Sequence, residues 1–86
     1  MIMFYAYVIL NEQFNKIYIG YTSDLHKRLE RHNGITKNKS TSYTARFKGG
    51  WIIVYKEEFN TRNEAIRREK ELKSYQGRKF IKNLIN

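Results

Sequence analysis

The sequence predicts a small α/β chain of the α+β kind, with its elements in the order β-β-α-β-α-α. Three observations carry that prediction. Two strand-like segments at the start are separated by a short polar turn. Two later segments have apolar residues at helical spacing behind capping residues. Between those two helices lies a third strand-like run rich in aromatic and β-branched residues. Its 86 residues leave room for one core, covering roughly 60% of the surface exposed by the unfolded chain. Residues 1–86 read as a single domain, with no repeat, low-complexity tract or dividing linker.

The first strand spans Phe4–Leu10. Alternation puts Tyr5, Tyr7 and Ile9 on one face and Phe4, Ala6, Val8 and Leu10 on the other. A polar turn, Asn11–Asn15, leads into strand Lys16–Tyr21, and the two read as a hairpin. Tyr18 shares a face with Lys16 and Gly20. Tyr7 and Tyr18 are therefore expected as cross-strand neighbours, with Gly20 leaving open space beside them. Thr22-Ser23-Asp24 supplies the cap of a helix over Asp24–Arg31, and Asn33-Gly34 supplies its stop. A polar stretch, Asn33–Gly50, precedes strand Trp51–Glu58. Thr61-Arg62-Asn63-Glu64 has the form of a capping box and opens a helix over Arg62–Tyr75. A short helix near Arg78–Leu84 follows, with Gly77 as the break.

Polar residues sit on the inner faces of both main helices. At about 100° per residue, Arg28 and His32 fall in the sector defined by Leu25 and Leu29. Asp24, His26, Lys27, Glu30 and Arg31 fall outside it. On the later helix Glu69 lies between Ala65 and Leu72, while Glu64, Arg67, Arg68, Lys70 and Glu71 point outward. Taken singly, each inward residue also fits a snorkelling side chain or a buried ion pair such as Glu69 with Arg28. Three of them on two helices of so short a chain point to a lined site.

Composition narrows the partner. The chain has no cysteine, which excludes disulfides and thiolate metal sites and fits a reducing, cytoplasmic setting. The apolar run Met1–Leu10 is too short to span a bilayer and lacks a basic leader and a cleavage site. No helix combines a basic face with a broad apolar one, so a membrane partner is not expected. The net charge is +9, concentrated after Ile35. Lys37, Lys39, Arg46 and Lys48 occur with no acid between them. Arg67, Lys70, Lys73 and Arg78 lie among the later cations. Such a surface attracts phosphate backbones without reading sequence. Tyr43 and Phe47 could stack on an unpaired base.

The ordered set Tyr5-Ala6-Tyr7, Tyr18-Ile19-Gly20, Arg28, His32 and Glu69 resembles the GIY-YIG nuclease family. The likeness covers nearly the whole chain and is greatest to small stand-alone members similar to the amino-terminal nuclease domain of an excinuclease. The phrases that carry it are Tyr18–Leu25, Arg28–Asn33 and Glu64–Lys73. The resemblance implies a three-stranded antiparallel sheet flanked by helices, and hydrolysis of DNA phosphodiesters with a divalent metal. It further implies a structure-selective or weakly specific endonuclease serving DNA repair or recombination, acting on branched, nicked or flapped DNA. Tyr5-Ala6 departs from the family's Gly-Ile. Asn83 is the nearest counterpart of an asparagine that members often carry after the glutamate helix. Many relatives take their target choice from a second domain. Here Asn33–Gly50 is the one substantial loop in its place, and a protein partner is a second source of specificity.

The residue chemistry fits that implication. Glu69 is a hard carboxylate suited to one Mg²⁺ or Mn²⁺ ion that keeps most of its waters. Arg28 offers a permanent fork for phosphate oxygens. Tyr7 would position or deprotonate the attacking water, and needs nearby cations to lower its pKa from about 10. Tyr18 would support Tyr7 by a hydrogen bond, although a packed hydroxyl satisfied by backbone fits it as well. His32 would orient the phosphate or relay a proton. His26 and His32, six residues apart, do not make a zinc pair. Two other functions stay open: a nucleic-acid-binding module of the same fold that does not cut, and an interaction domain anchored by Trp51, Phe59 and Tyr75.

Overall fold

The computed structural model describes residues 2–33 and 49–85. Three strands and three helices follow the expected order: β1 (Phe4–Asn11), β2 (Lys16–Thr22), α1 (Leu25–His32), β3 (Trp51–Phe59), α2 (Arg62–Lys73) and α3 (Tyr75–Ile85). The sheet is antiparallel with strand order β2-β1-β3. Lys37, Lys39, Arg46 and Lys48, like Tyr43 and Phe47, lie outside the described residues. No helix of the described residues is long and apolar enough to cross a membrane.

The most apolar strand takes the centre, because a central strand is covered on both faces. Ala6 and Val8 face one side, where they join Ile19, Leu72 and Ile81 under α2 and α3. Tyr7 and Ile9 face the other, with Trp51, Tyr18, Leu25, Leu29 and Ile53 under α1. Trp51 is therefore core, 2% exposed, and is not a surface anchor. Phe59 packs against the first cluster, which leaves only Tyr75 exposed of those three aromatics. Opposite Val8 and Ile9 the β3 register slips, so that Tyr55 pairs with Val8 and Ile53 with Ile9. The intervening Val54 is the extra residue of a bulge, and it packs with Tyr55 on the α2 side.

Both helix starts use the expected side chains. Asp24 accepts from the Lys27 amide at 3.1 Å, and Thr61 accepts from the Glu64 amide at 3.3 Å. Arg68 does not point outward as periodicity alone requires. It donates back to Glu57 of β3 at 2.9 Å and to Glu71 at 3.2 Å, tying α2 to the sheet.

The break between the last two helices falls at Ser74, not Gly77. Ser74 has an extended backbone, and its hydroxyl accepts from the Gly77 amide at 3.2 Å, which makes it the N-cap of α3. Gly77 sits within α3 for a packing reason. A Cβ there would overlap the Glu71 carbonyl oxygen and Leu72 Cα. Only glycine lets α3 fold back onto the end of α2. Tyr75 accordingly begins α3 and does not end α2.

Candidate active site

Strand alternation carries Tyr7 and Tyr18 to the α1 face, and Tyr7 stands opposite Gly20 in the β1–β2 register. Tyr18 stands opposite Ile9, so the two tyrosines are diagonal neighbours with ring centroids 6.3 Å apart. The space beside Gly20 is filled, not open. A Cβ there would meet the Tyr7 hydroxyl at 2.8 Å and Tyr18 Cε2 at 2.9 Å. Glycine at this position lets two large rings close over the strand.

The last turn of α1 delivers His32 into the same cluster. Its Nε2 lies 2.8 Å from the Tyr7 hydroxyl, and its ring centroid is 4.8 Å from Tyr18 and 6.5 Å from Trp51. Tyr7 and His32 are both buried, at 1% and 6% exposure. Arg28, one turn earlier, is half-buried, and its guanidinium charge favours the ionised form of the Tyr7 phenol. In the His32 tautomer that carries its hydrogen on Nδ1, Nε2 accepts from the Tyr7 hydroxyl.

Burial sets the charge state of this pair. It pushes the Tyr7 phenol well above its ordinary pKa, and Tyr18 pushes the same way. The Arg28 guanidinium opposes that rise without overcoming it, and the nearby Glu69 carboxylate adds to it. The expectation that cations lower the Tyr7 pKa therefore fails: desolvation outweighs one partly solvated guanidinium. Burial likewise lowers His32 from 6.5 to about 4, helped by Arg28 and Arg31. At neutral pH the pair is a neutral phenol on a neutral imidazole.

Glu69 comes from α2, and its charge is felt at Tyr7. Its carboxylate pairs with Lys73 at 3.5 Å, not with Arg28, the partner that a buried ion pair would have given it. No group of three or more His, Cys, Asp or Glu side chains is clustered among the described residues. Glu69 is a single carboxylate, and a single carboxylate suits Mg²⁺ or Mn²⁺, which retain water and complete their shell on phosphate. It does not suit zinc or calcium, which take more protein ligands.

The remaining predicted residues divide. Lys73 and Arg78 border a cleft with Ile17, Tyr18 and Ile19, adjoining the cluster. Arg67 lies on the β3 side of α2, in a groove with Glu57, Glu64 and Glu71. Lys70 and Asn83 are exposed, and neither forms a hydrogen bond or ion pair with the cluster among the described residues. Two asparagines escape a reading of the sequence. Asn33 closes α1, and its side-chain amide both donates to the Trp51 carbonyl at 3.1 Å and accepts from the Trp51 amide at 2.7 Å. Buried Asn11 donates to the Gly49 carbonyl at 2.8 Å. Together they fix both ends of the segment between α1 and β3, and Asn33 fixes the turn that carries His32. The signal available is an asparagine at each joint.

A three-stranded antiparallel sheet with helices on both faces, and a tyrosine–histidine–arginine cluster on one of them, defines a small α+β domain of the kind built around a polar site. The sequence profile of the GIY-YIG catalytic domain matches residues 3–83, and the chain belongs to the GIY-YIG family. It is 32% identical over 78 residues to a UPF0213 protein of Staphylococcus haemolyticus, covering 91% of this chain and 89% of that one. A UPF0213 protein of Staphylococcus saprophyticus matches with the same identity and coverage. Among solved structures, the solution structure of a UPF0213 protein from Bacillus halodurans superposes with a TM-score of 0.53 at 26% identity, over 95% of this chain and 84% of that one.

Proposed function

We propose that this protein is a divalent-metal-dependent endonuclease that hydrolyses DNA phosphodiester bonds, with selectivity for DNA shape above sequence and a role in DNA repair or recombination. The observation that carries the reading is the meeting of Tyr7, Tyr18, Arg28 and His32 from three elements, with the Glu69 charge felt at the Tyr7 hydroxyl. Membership of a nuclease family supports it. Phosphodiester hydrolysis needs an oriented water, a counter-charge for the transition state and help for the leaving oxygen. The Tyr7 oxygen accepts a proton from the water while its own proton passes to His32 Nε2, so that no phenolate has to form in a buried site. Arg28 holds the phosphate through its fork. Tyr18 confines the Tyr7 and His32 rings. Glu69, on leaving Lys73, would hold the Mg²⁺ or Mn²⁺, which supplies charge neutralisation for the transition state and the leaving group.

The test is Glu69→Gln against a panel of nicked, flapped, branched and plain duplex DNAs with each metal. Cleavage should fall by at least about 10²-fold while DNA binding persists and the melting temperature holds, because the amide keeps the size and hydrogen-bonding capacity of the carboxylate and its Lys73 partner is half-exposed. Equal losses of folding and cleavage would return Glu69 to a structural role. A second reading, a binding module that does not cut, draws on the neutral, deeply buried Tyr7 phenol. Absence of metal-dependent cleavage by the wild type on every substrate would favour it.

A further inference from the structure

The cleft beside Tyr18 has a composition unlike two other grooves among the described residues. It measures about 290 Å³ and is lined by Ile17, Tyr18, Ile19, Lys73 and Arg78. Two cations face it, and its lining contains no carboxylate. Two grooves on the far side of α2 each include Glu71, and the Arg68 that borders both is already paired with Glu57 and Glu71. One wall is β2, an edge strand, whose outward amides add donors. Arg78 is also oriented: its Nε donates to the Lys73 carbonyl at 3.0 Å, which leaves both terminal nitrogens of the guanidinium for another acceptor. Lys73 belongs to both places, since its Nζ holds Glu69.

We propose that Lys73 and Arg78 form a second phosphate subsite, which takes a DNA backbone phosphate neighbouring the scissile one. The proposal rests on the endonuclease reading. Arg78 supplies the bidentate contact and Lys73 the point charge. Lys73 holds Glu69 in the free protein and would be released to the phosphate with a divalent ion on that carboxylate. The nicked or cut strand is thereby held along β2, past Tyr18, with the scissile phosphate at Arg28. This makes substrate phosphate and metal ion mutually reinforcing: each removes one partner of the Glu69–Lys73 pair.

The experiment is a scan of single neutral methylphosphonates on either side of the cleaved bond, read as KM and kcat with the wild type, Arg78→Gln and Lys73→Gln. In the wild type one flanking substitution should raise KM about tenfold, the scale of a lost charged hydrogen bond. In Arg78→Gln the same substitution should cost less than about twofold, because its partner is already gone. Arg78→Lys should restore part of the charge and the salt slope, which falls by about one unit in Arg78→Gln. Multiplying penalties, or an unchanged salt slope in Arg78→Gln, would overturn the subsite while leaving the nuclease reading intact. If the wild type cuts no DNA, the endonuclease reading falls instead. The same scan read by equilibrium binding then decides the subsite, with additive penalties counting against it and non-additive ones in its favour.

Discussion

The two faces of the central strand are built from different chemistry. Under α2 and α3, β1 contributes Ala6 and Val8 to a buried cluster completed by Ile19, Leu72 and Ile81, all hydrocarbon. Under α1, the same strand contributes Tyr7 and Ile9 to a cluster where every large ring except that of Phe is present: Tyr7, Tyr18, Trp51 and His32. Both are dry enough that no buried side-chain nitrogen or oxygen among the described residues lacks a partner. The hydrocarbon face stabilises the fold whatever the pH. The ring face satisfies its polar atoms through one another, so its energy depends on where protons sit. A small domain can devote half its interior to a polar ring cluster when the other half holds the fold alone.

The largest effect expected from this division is at Leu72, which is fully buried. Leu72→Ala should lower stability by about 2–5 kcal/mol in urea unfolding, with cleavage per folded molecule unchanged. A loss under about 1 kcal/mol would mean that the hydrocarbon face is not what holds the fold. Acid should act on the other face. His32 has its pKa lowered from 6.5 to about 4 when folded, so the unfolded chain binds a proton across that window that the native protein does not. Stability therefore rises with pH through the window and is lost as pH falls from 6.5 to about 4, by on the order of 3 kcal/mol. Leu72→Ala should keep this slope and His32→Phe should lose it. Equal slopes in both variants would remove the contrast.

Two glycines probe the same contrast at a smaller scale. A Cβ at Gly77 meets helix backbone at the end of α2, which cannot step aside. Gly77→Ala should cost about 1–3 kcal/mol of stability and leave the chemistry of folded molecules alone. A Cβ at Gly20 meets ring atoms at 2.8 Å and 2.9 Å, which can tilt. Gly20→Ala should cost about 1 kcal/mol, the lower end of the overpacking range, and slow single-turnover cleavage about tenfold, by shifting Tyr7 off His32. The reverse pattern of losses would assign the two glycines to the wrong faces.

Much of this division is legible in the chain before it folds. Alternation places Tyr7 and Ile9 opposite Ala6 and Val8, and helical periodicity turns Arg28, His32 and Glu69 inward, because both depend only on backbone repeat. The features that escape such a reading depend on neighbours distant in sequence. Propensity puts the helix break at Gly77, whereas Ser74 supplies the cap and Gly77 the close approach. Gly20 reads as empty space, though two rings from separate strands fill it. Trp51 reads as an anchor, although α1 and β1 cover it. Asn11 and Asn33 read as turn residues, and their roles appear only where β3 arrives beside them.

Local sterics, periodicity and composition are enough to say which residues form each element, which way most of them face and how large the excess of positive charge is. The pairing of Glu69 with Lys73 is an i,i+4 contact that helical spacing within α2 already offers, whereas the assembled fold alone sets the separation of Arg67 from the cleft of Lys73 and Arg78. It also sets the protonation of Tyr7 and His32. Which groove a cation lines depends on how the helices meet the sheet, and a pKa depends on how much water the closed chain removes. Neither quantity exists until the chain has closed.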